Sequence, residues 1–144
     1  MNKATTKSLY DADFALWIED TVNKLKKRDV TSLDWENLID EVESLGKSDK
    51  RKIESLLFRL FEHLLKRKHT GMQECYRGWD IEIRNFSWEI KRLLRDSPSL
   101  KNYLKKIAPD CYKKAKESIS RDYEIYDFSA GLDTEEVINK LCEK

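Results

Sequence analysis

From Ser48 to Lys68 the apolar residues Ile53, Leu56, Leu57, Leu60, Phe61, Leu64 and Leu65 recur at three- and four-residue steps. At about 100° per residue they cover roughly half a helix circumference, a stripe wide enough to need neighbours on two sides. Ser48 is suited to accept hydrogen bonds from the first free amides. Lys66, Arg67, Lys68 and His69 complement the negative end, and Gly71 permits a left-handed stop. The pattern predicts the central helix of a bundle.

The flanking periodicities predict its neighbours. Asp11 is placed to cap a helix with Phe14, Trp17, Ile18, Val22 and Leu25 on one narrow stripe, ending near Arg28 or Asp29. Thr31 or Ser32 opens the next, where Trp35, Leu38, Ile39, Val42 and Leu45 share a face. Gly46 reads as its C-terminal break, and so short a connection would make it an antiparallel neighbour of the central helix. A fourth helix, about Tyr76 to Arg95, carries Trp79, Ile83, Phe86, Ile90, Leu93 and Leu94 on one side, and Ile81 and Trp88 on the other. Pro98 suits the first turn of a fifth, whose apolar residues keep register from Leu100 to Ile119 across Pro109. A kink or break is expected near Ala108. Residues 123–131 read as an irregular aromatic loop over the bundle. Asp133 with Glu136 resembles a capping box for a short last helix bearing Val137, Ile138 and Leu141. The expectation is an all-α, single-domain bundle of five to six helices around Ser48–Lys68, spanning residues 1–144, with residues 1–10 loose.

Composition supports a folded domain. Hydrophobic residues reach 40% beside 38% charged residues, and a chain of this length buries on the order of two thirds of its unfolded surface. Only four Gly and two Pro interrupt it, which favours long helices. The 28 Lys and Arg nearly balance 27 Asp and Glu, so no global field draws nucleic acid or an anionic membrane. Cys75, Cys111 and Cys142 are odd in number and widely spaced, which fits reduced packing thiols in a cytoplasm rather than disulfides or a zinc site. No signal-peptide-like run opens the chain, and no uncharged stretch is long enough to span a membrane.

Candidate chemistry is sparse. Glu41 and Glu43 flank the second helix's stripe and His63 lies at the edge of the central one, so carboxylate and imidazole on adjacent helices could share a proton or a metal. Against this, the residue three before His63 is Leu60, so the Glu-x-x-His pair of di-iron bundles is missing, and His69 points elsewhere. A structural histidine held by Glu41 or Glu43 is the expectation, with no metal and no cofactor. There is no nucleophile elbow or phosphate loop. Basic residues cluster at Lys24, Lys26, Lys27 and Arg28, at Lys47, Lys50, Arg51 and Lys52, at Lys66, Arg67 and Lys68, and at Lys113, Lys114 and Lys116. Most alternate with acids or sit at helix ends.

The blocks LYDADFALWIEDTVNKL, LDWENLIDEVESLGKSDKRKIESLL, LFEHLLK, the Trp79 region, and LLRDSPSL with Tyr112 and Ala115 downstream together resemble an uncharacterised bacterial family called domain of unknown function twenty-nine. The resemblance covers most of the chain and implies a small helical fold with no established activity. Its recurrent polar positions fall here on Glu41, Glu43, Ser48, Glu54, Ser55, His63, Lys66, Trp79 and Arg84. The family pattern usually places a Trp soon after the Lys of HLLK and an Arg in the middle of the fourth helix, where this chain has Arg67 or Lys68 and roughly Ser87. Any site shared through that pair is altered.

The function expected is that of a cytosolic interaction module binding an unknown protein, monomeric or homodimeric, with no chemistry of its own. An alternative is nucleic-acid binding through the Lys-rich helix ends, and a third reading is hydrolysis at a Glu/His site. The candidate polar cluster is Glu41, Glu43, His63, Lys66, Trp79 and Arg84. Ile81 and Trp88 mark a second contact face, covered by the segment from Tyr123 to Lys144 or by another chain.

Overall fold

The structure, a computed structural model, describes residues 8–128 and 131–143. It is all-α. Six helices and no strand occur among the described residues: α1 (Leu9–Ala12), α2 (Phe14–Lys26), α3 (Trp35–His69), α4 (Gln73–Asp96), α5 (Leu100–Tyr123) and α6 (Thr134–Cys142). None of them is long and apolar enough to cross a membrane. The chain divides into two compact units, Met1–Lys47 and Ser48–Lys144.

In the first unit the expected helix start shifts by two residues. Ser8 caps the one-turn helix α1, the chain extends at Asp13, and Asp13 rather than Asp11 accepts the Leu16 amide that opens α2. The cap therefore falls where the backbone leaves helical geometry, since only there can the side chain reach back to the first free amides. Of the residues taken as loose, 1–7 lie outside those described, while Leu9 and Tyr10 are helical. At the far end of α2, Arg28 takes a left-handed conformation (φ 60°). Its amide donates to the Leu25 carbonyl and the Asp29 amide to that of Lys24, a Schellman stop in which arginine stands where glycine is usual. Trp17 is buried between the rings of Tyr10 and Phe14, with Thr21 and Leu33 the other buried residues among those described in this unit.

Gly46 does not end a helix. The two helices expected on either side of it are one, α3, running unbroken from Trp35 to His69. A glycine inside a helix costs only about 1 kcal/mol relative to alanine, and no proline lies within α3 to stop propagation. The antiparallel pair expected there is accordingly absent. Gly71 is not left-handed either, as no glycine among the described residues has positive φ. The end of α3 is closed instead by Thr70, whose amide and hydroxyl both donate to the Lys66 carbonyl.

The second unit holds the core. Ile53, Leu57, Leu60, Phe61 and Leu65 of α3 join Ile90 and Leu94 of α4, Leu104, Ala115 and Ile119 of α5, and Ile138 and Leu141 of α6 in one buried cluster. The central stripe is thus covered from more than one side, as its width requires. Of the kink or break expected near Ala108, the break does not occur: α5 runs through Pro109. The carbonyl deprived of its donor is that of exposed Lys105, at a place where water can replace the amide. Asp133 caps α6 through the Glu136 amide, and α6 packs on α4 and α5. Between α5 and α6, Ile125, Phe128 and Leu132 lie against the core. Gly131 approaches so closely that an added Cβ would stand 2.6 Å from the Tyr112 hydroxyl.

Candidate functional site

Three of the six residues of the expected polar cluster come together, and three do not. His63, Lys66 and Trp79 lie along the seam of α3 and α4 in the second unit. Glu41 and Glu43 belong to the first unit, and Arg84 is exposed on α4. Because α3 is continuous, neither Glu41 nor Glu43 sits on a neighbouring helix facing His63. The carboxylate that holds the imidazole is Glu82 of α4, with Oε2 2.7 Å from Nε2. Nδ1 lies 2.8 Å from the Arg59 carbonyl oxygen. Both ring nitrogens thus face an oxygen.

The rest of the seam is paired in the same way. Lys66 Nζ lies 5.2 Å from the Trp79 ring and 5.9 Å from that of Tyr123. The Arg67 guanidinium stacks 3.8 Å from the Tyr76 ring and donates to Asp80 at 3.0 Å. Ser118 of α5 donates to Glu62 at 2.6 Å. Lys68 donates to the Gly131 carbonyl. Lys66 is thus held by aromatic faces, Arg67 by a ring and a carboxylate, and Lys68 by a backbone carbonyl, and the seam ties α4 and α5 to α3. No group of three or more His, Cys, Asp or Glu suited to a metal occurs among the described residues. Burial, followed by the nearby Glu54 and Asp110 carboxylates, pushes the Cys111 thiol up to about 11. It therefore stays protonated and is no nucleophile at neutral pH.

Tyr123 and Phe128 of the C-terminal segment pack on rings other than Trp88. Tyr123 packs edge-on against Trp79 and Phe128 against His69, while Trp88 remains 57% exposed, with the Arg92 guanidinium 5.3 Å from its ring. Nine residues separate Trp79 from Trp88, which at about 100° each puts them on opposite sides of α4.

The surface that stands out lies in the first unit. Of fifteen exposed large hydrophobics among the described residues, eleven fall between Leu9 and Leu45. On α3, Trp35, Ile39, Val42 and Leu45 are 49 to 69% exposed and fall within about 120° of the helix circumference. Glu36 and Glu43 border this stripe on one edge and Glu41 on the other, and no Lys or Arg occurs from Thr31 to Gly46. Glu41 accepts the Tyr10 hydroxyl, and that bond, ahead of desolvation and the carboxylate's charge, pushes the Tyr10 phenol up to about 12.

The family model described as Domain of unknown function DUF29 matches residues 9–140. The chain belongs to this family. No curated protein and no solved structure matches it. In this DUF29 chain the periodicity of Trp35 to Leu45 was legible as a face, but as a buried one. The signal that could have marked it as a surface is the acid-only run between Thr31 and Gly46, where a face packed within a mixed-charge protein would be expected to carry both signs.

Proposed function

We propose that the protein is a docking module whose first unit receives a cationic amphipathic helix from another protein. The observation that carries this reading is the bare stripe Trp35, Ile39, Val42 and Leu45 with carboxylates on both edges and no cation among them. An apolar ridge that wide loses roughly 25 cal/mol for each Å² left in water, and a helix laid along it recovers that area through i, i+3, i+4 and i+7 anchors. The acidic borders set the sign of the partner and speed its approach. The setting proposed is cytoplasmic, where Cys75, Cys111 and Cys142 remain free thiols. Nucleic-acid binding has less support, because Lys24, Lys66, Arg67, Lys68 and Lys114 all have partners within the protein.

The test is fluorescence anisotropy of two labelled helical peptides, one with leucine and lysine faces and one with leucine and glutamate faces. The lysine peptide binds, more weakly as salt rises, and the double variant Val42→Asp, Leu45→Asp lowers its affinity by about tenfold or more while circular dichroism stays unchanged. Equal binding of the glutamate peptide overturns the reading. So does sedimentation showing the chain alone as a dimer that the double variant dissolves, because a second copy then occupies the face.

A further inference from the structure

At the end of the second unit where α4, α5 and α6 meet, a cavity of about 440 Å³ is lined by Lys91, Leu94, Arg95, Pro98, Lys101, Leu141 and Glu143. Its volume lies within the range of small-molecule sites, about 300 to 1,000 Å³. We infer that it binds a small organic anion, with the acidic head held by Lys91, Arg95 and Lys101 and the apolar body resting on exposed Pro98, behind which Leu94 and Leu141 are buried. This site is independent of the docking face on the first unit.

Two observations carry the inference. The floor is apolar and tightly built, with Leu94 2% and Leu141 3% exposed as members of the core cluster. It is therefore a fixed surface. The rim is mainly cationic. None of Lys91, Arg95 and Lys101 makes an ion pair with a described residue, whereas Lys24, Arg67, Lys114 and Lys140 each do. Among the described residues Glu143 is the one carboxylate lining the cavity, so three positive charges face one negative charge there. Cations drawn together over an apolar floor repel one another, and an anion bound among them relieves that repulsion while gaining charge-assisted hydrogen bonds. The Arg95 fork suits a carboxylate or a phosphate monoester, each of which offers two oxygens to a planar guanidinium. A bare inorganic ion would leave Pro98 wet, and a neutral amphiphile would leave the rim unpaired. The chemistry selected is therefore an acidic head on a short apolar body.

Calorimetric titration of the full chain with octanoate, octyl phosphate, octanol and inorganic phosphate tests this, with amide shifts in ¹H–¹⁵N spectra locating the site. Both octyl anions are expected to bind and to shift the amides of Lys91, Arg95 and Lys101, the tighter one identifying the head group. Octanol and inorganic phosphate should each bind at least about tenfold more weakly, as follows from losing one charge-assisted contact or the apolar burial. The variant Arg95→Gln, Lys101→Gln changes side chains outside the core, and should lose about tenfold or more in octanoate affinity with an unchanged melting temperature. Octanol binding as tightly as octanoate overturns the inference, as does inorganic phosphate matching octyl phosphate. Full affinity in the double variant, shifts confined to another part of the chain, or no binding of either octyl anion at millimolar concentration overturns it equally.

Discussion

His63 of α3 is bound to Glu82 of α4, Nε2 to Oε2 at 2.7 Å, with its other ring nitrogen against the Arg59 carbonyl one turn back. The imidazole is nearly buried, with 12% of its side chain exposed, while 54% of the Glu82 side chain is exposed. The pair is thus a tether whose outer half lies in water. Solvent and salt weaken such a bond, so Glu82→Gln should lower stability by only about 0.2 to 1 kcal/mol, and by less at high salt. Urea unfolding at two ionic strengths measures this. Stoichiometric metal in the tag-free protein, lost in His63→Ala, would contradict the tether and make His63 a ligand.

Leu60 and Trp88 should respond in opposite ways despite both being large and apolar. Leu60 is 1% exposed within the core cluster, and Leu60→Ala should cost about 2 to 5 kcal/mol through lost transfer energy and the cavity left behind. Trp88 is 57% exposed, and Trp88→Lys should stay within about 0.5 kcal/mol of the parent. Denaturant midpoints compare the two directly. A Trp88 variant as damaging as the Leu60 one would mean that the α4 outer face is covered in solution.

The glycines divide in the same way. A Cβ at Gly46 meets nothing within 4 Å and the residue lies inside α3, so Gly46→Ala should stabilise the protein by roughly 0.5 to 1 kcal/mol. At Gly131 the added carbon would meet the Tyr112 hydroxyl at 2.6 Å and the Phe128 carbonyl at 2.9 Å. Gly131→Ala should therefore destabilise by about 1 to 3 kcal/mol. Thermal melts of the two variants should move in opposite directions. A lower melting temperature for Gly46→Ala would show that the chain needs a break there.

The phenol of Tyr10 donates to Glu41 and titrates near 12 rather than at its ordinary 10.0. Because the folded value is the higher one, the stabilisation from this bond is complete below pH 10 and is lost as pH rises through about 12. Tyr10→Phe should remove a tyrosinate absorbance step near pH 12 and flatten the alkaline loss of stability between pH 10 and 12. Spectrophotometric titration of the two proteins checks this. An unchanged step would place the raised phenol elsewhere.

The sequence by itself determined what depends on short-range periodicity and capping. The stripe from Ile53 to Leu65, the all-α class, the Asp133 cap and the family resemblance were all legible, because helical spacing and N-cap chemistry act within a few residues. Tertiary structure decided whatever depends on which surfaces meet. Local preference at Gly46 amounts to about 1 kcal/mol, too little to stop a helix that propagates from both sides. Periodicity named Trp35, Ile39, Val42 and Leu45 as a face, but an apolar face has the same spacing whether covered or bare. The partner of His63 was not legible, since Glu82 is an exposed residue on a different helix with nothing local to distinguish it from its neighbours. Lys91, Arg95 and Lys101 likewise read as ordinary solvated cations. They line one cavity only because α4 ends, α5 begins and α6 returns at the same place, an arrangement set by the burial of the core stripes and by no feature of the cations themselves.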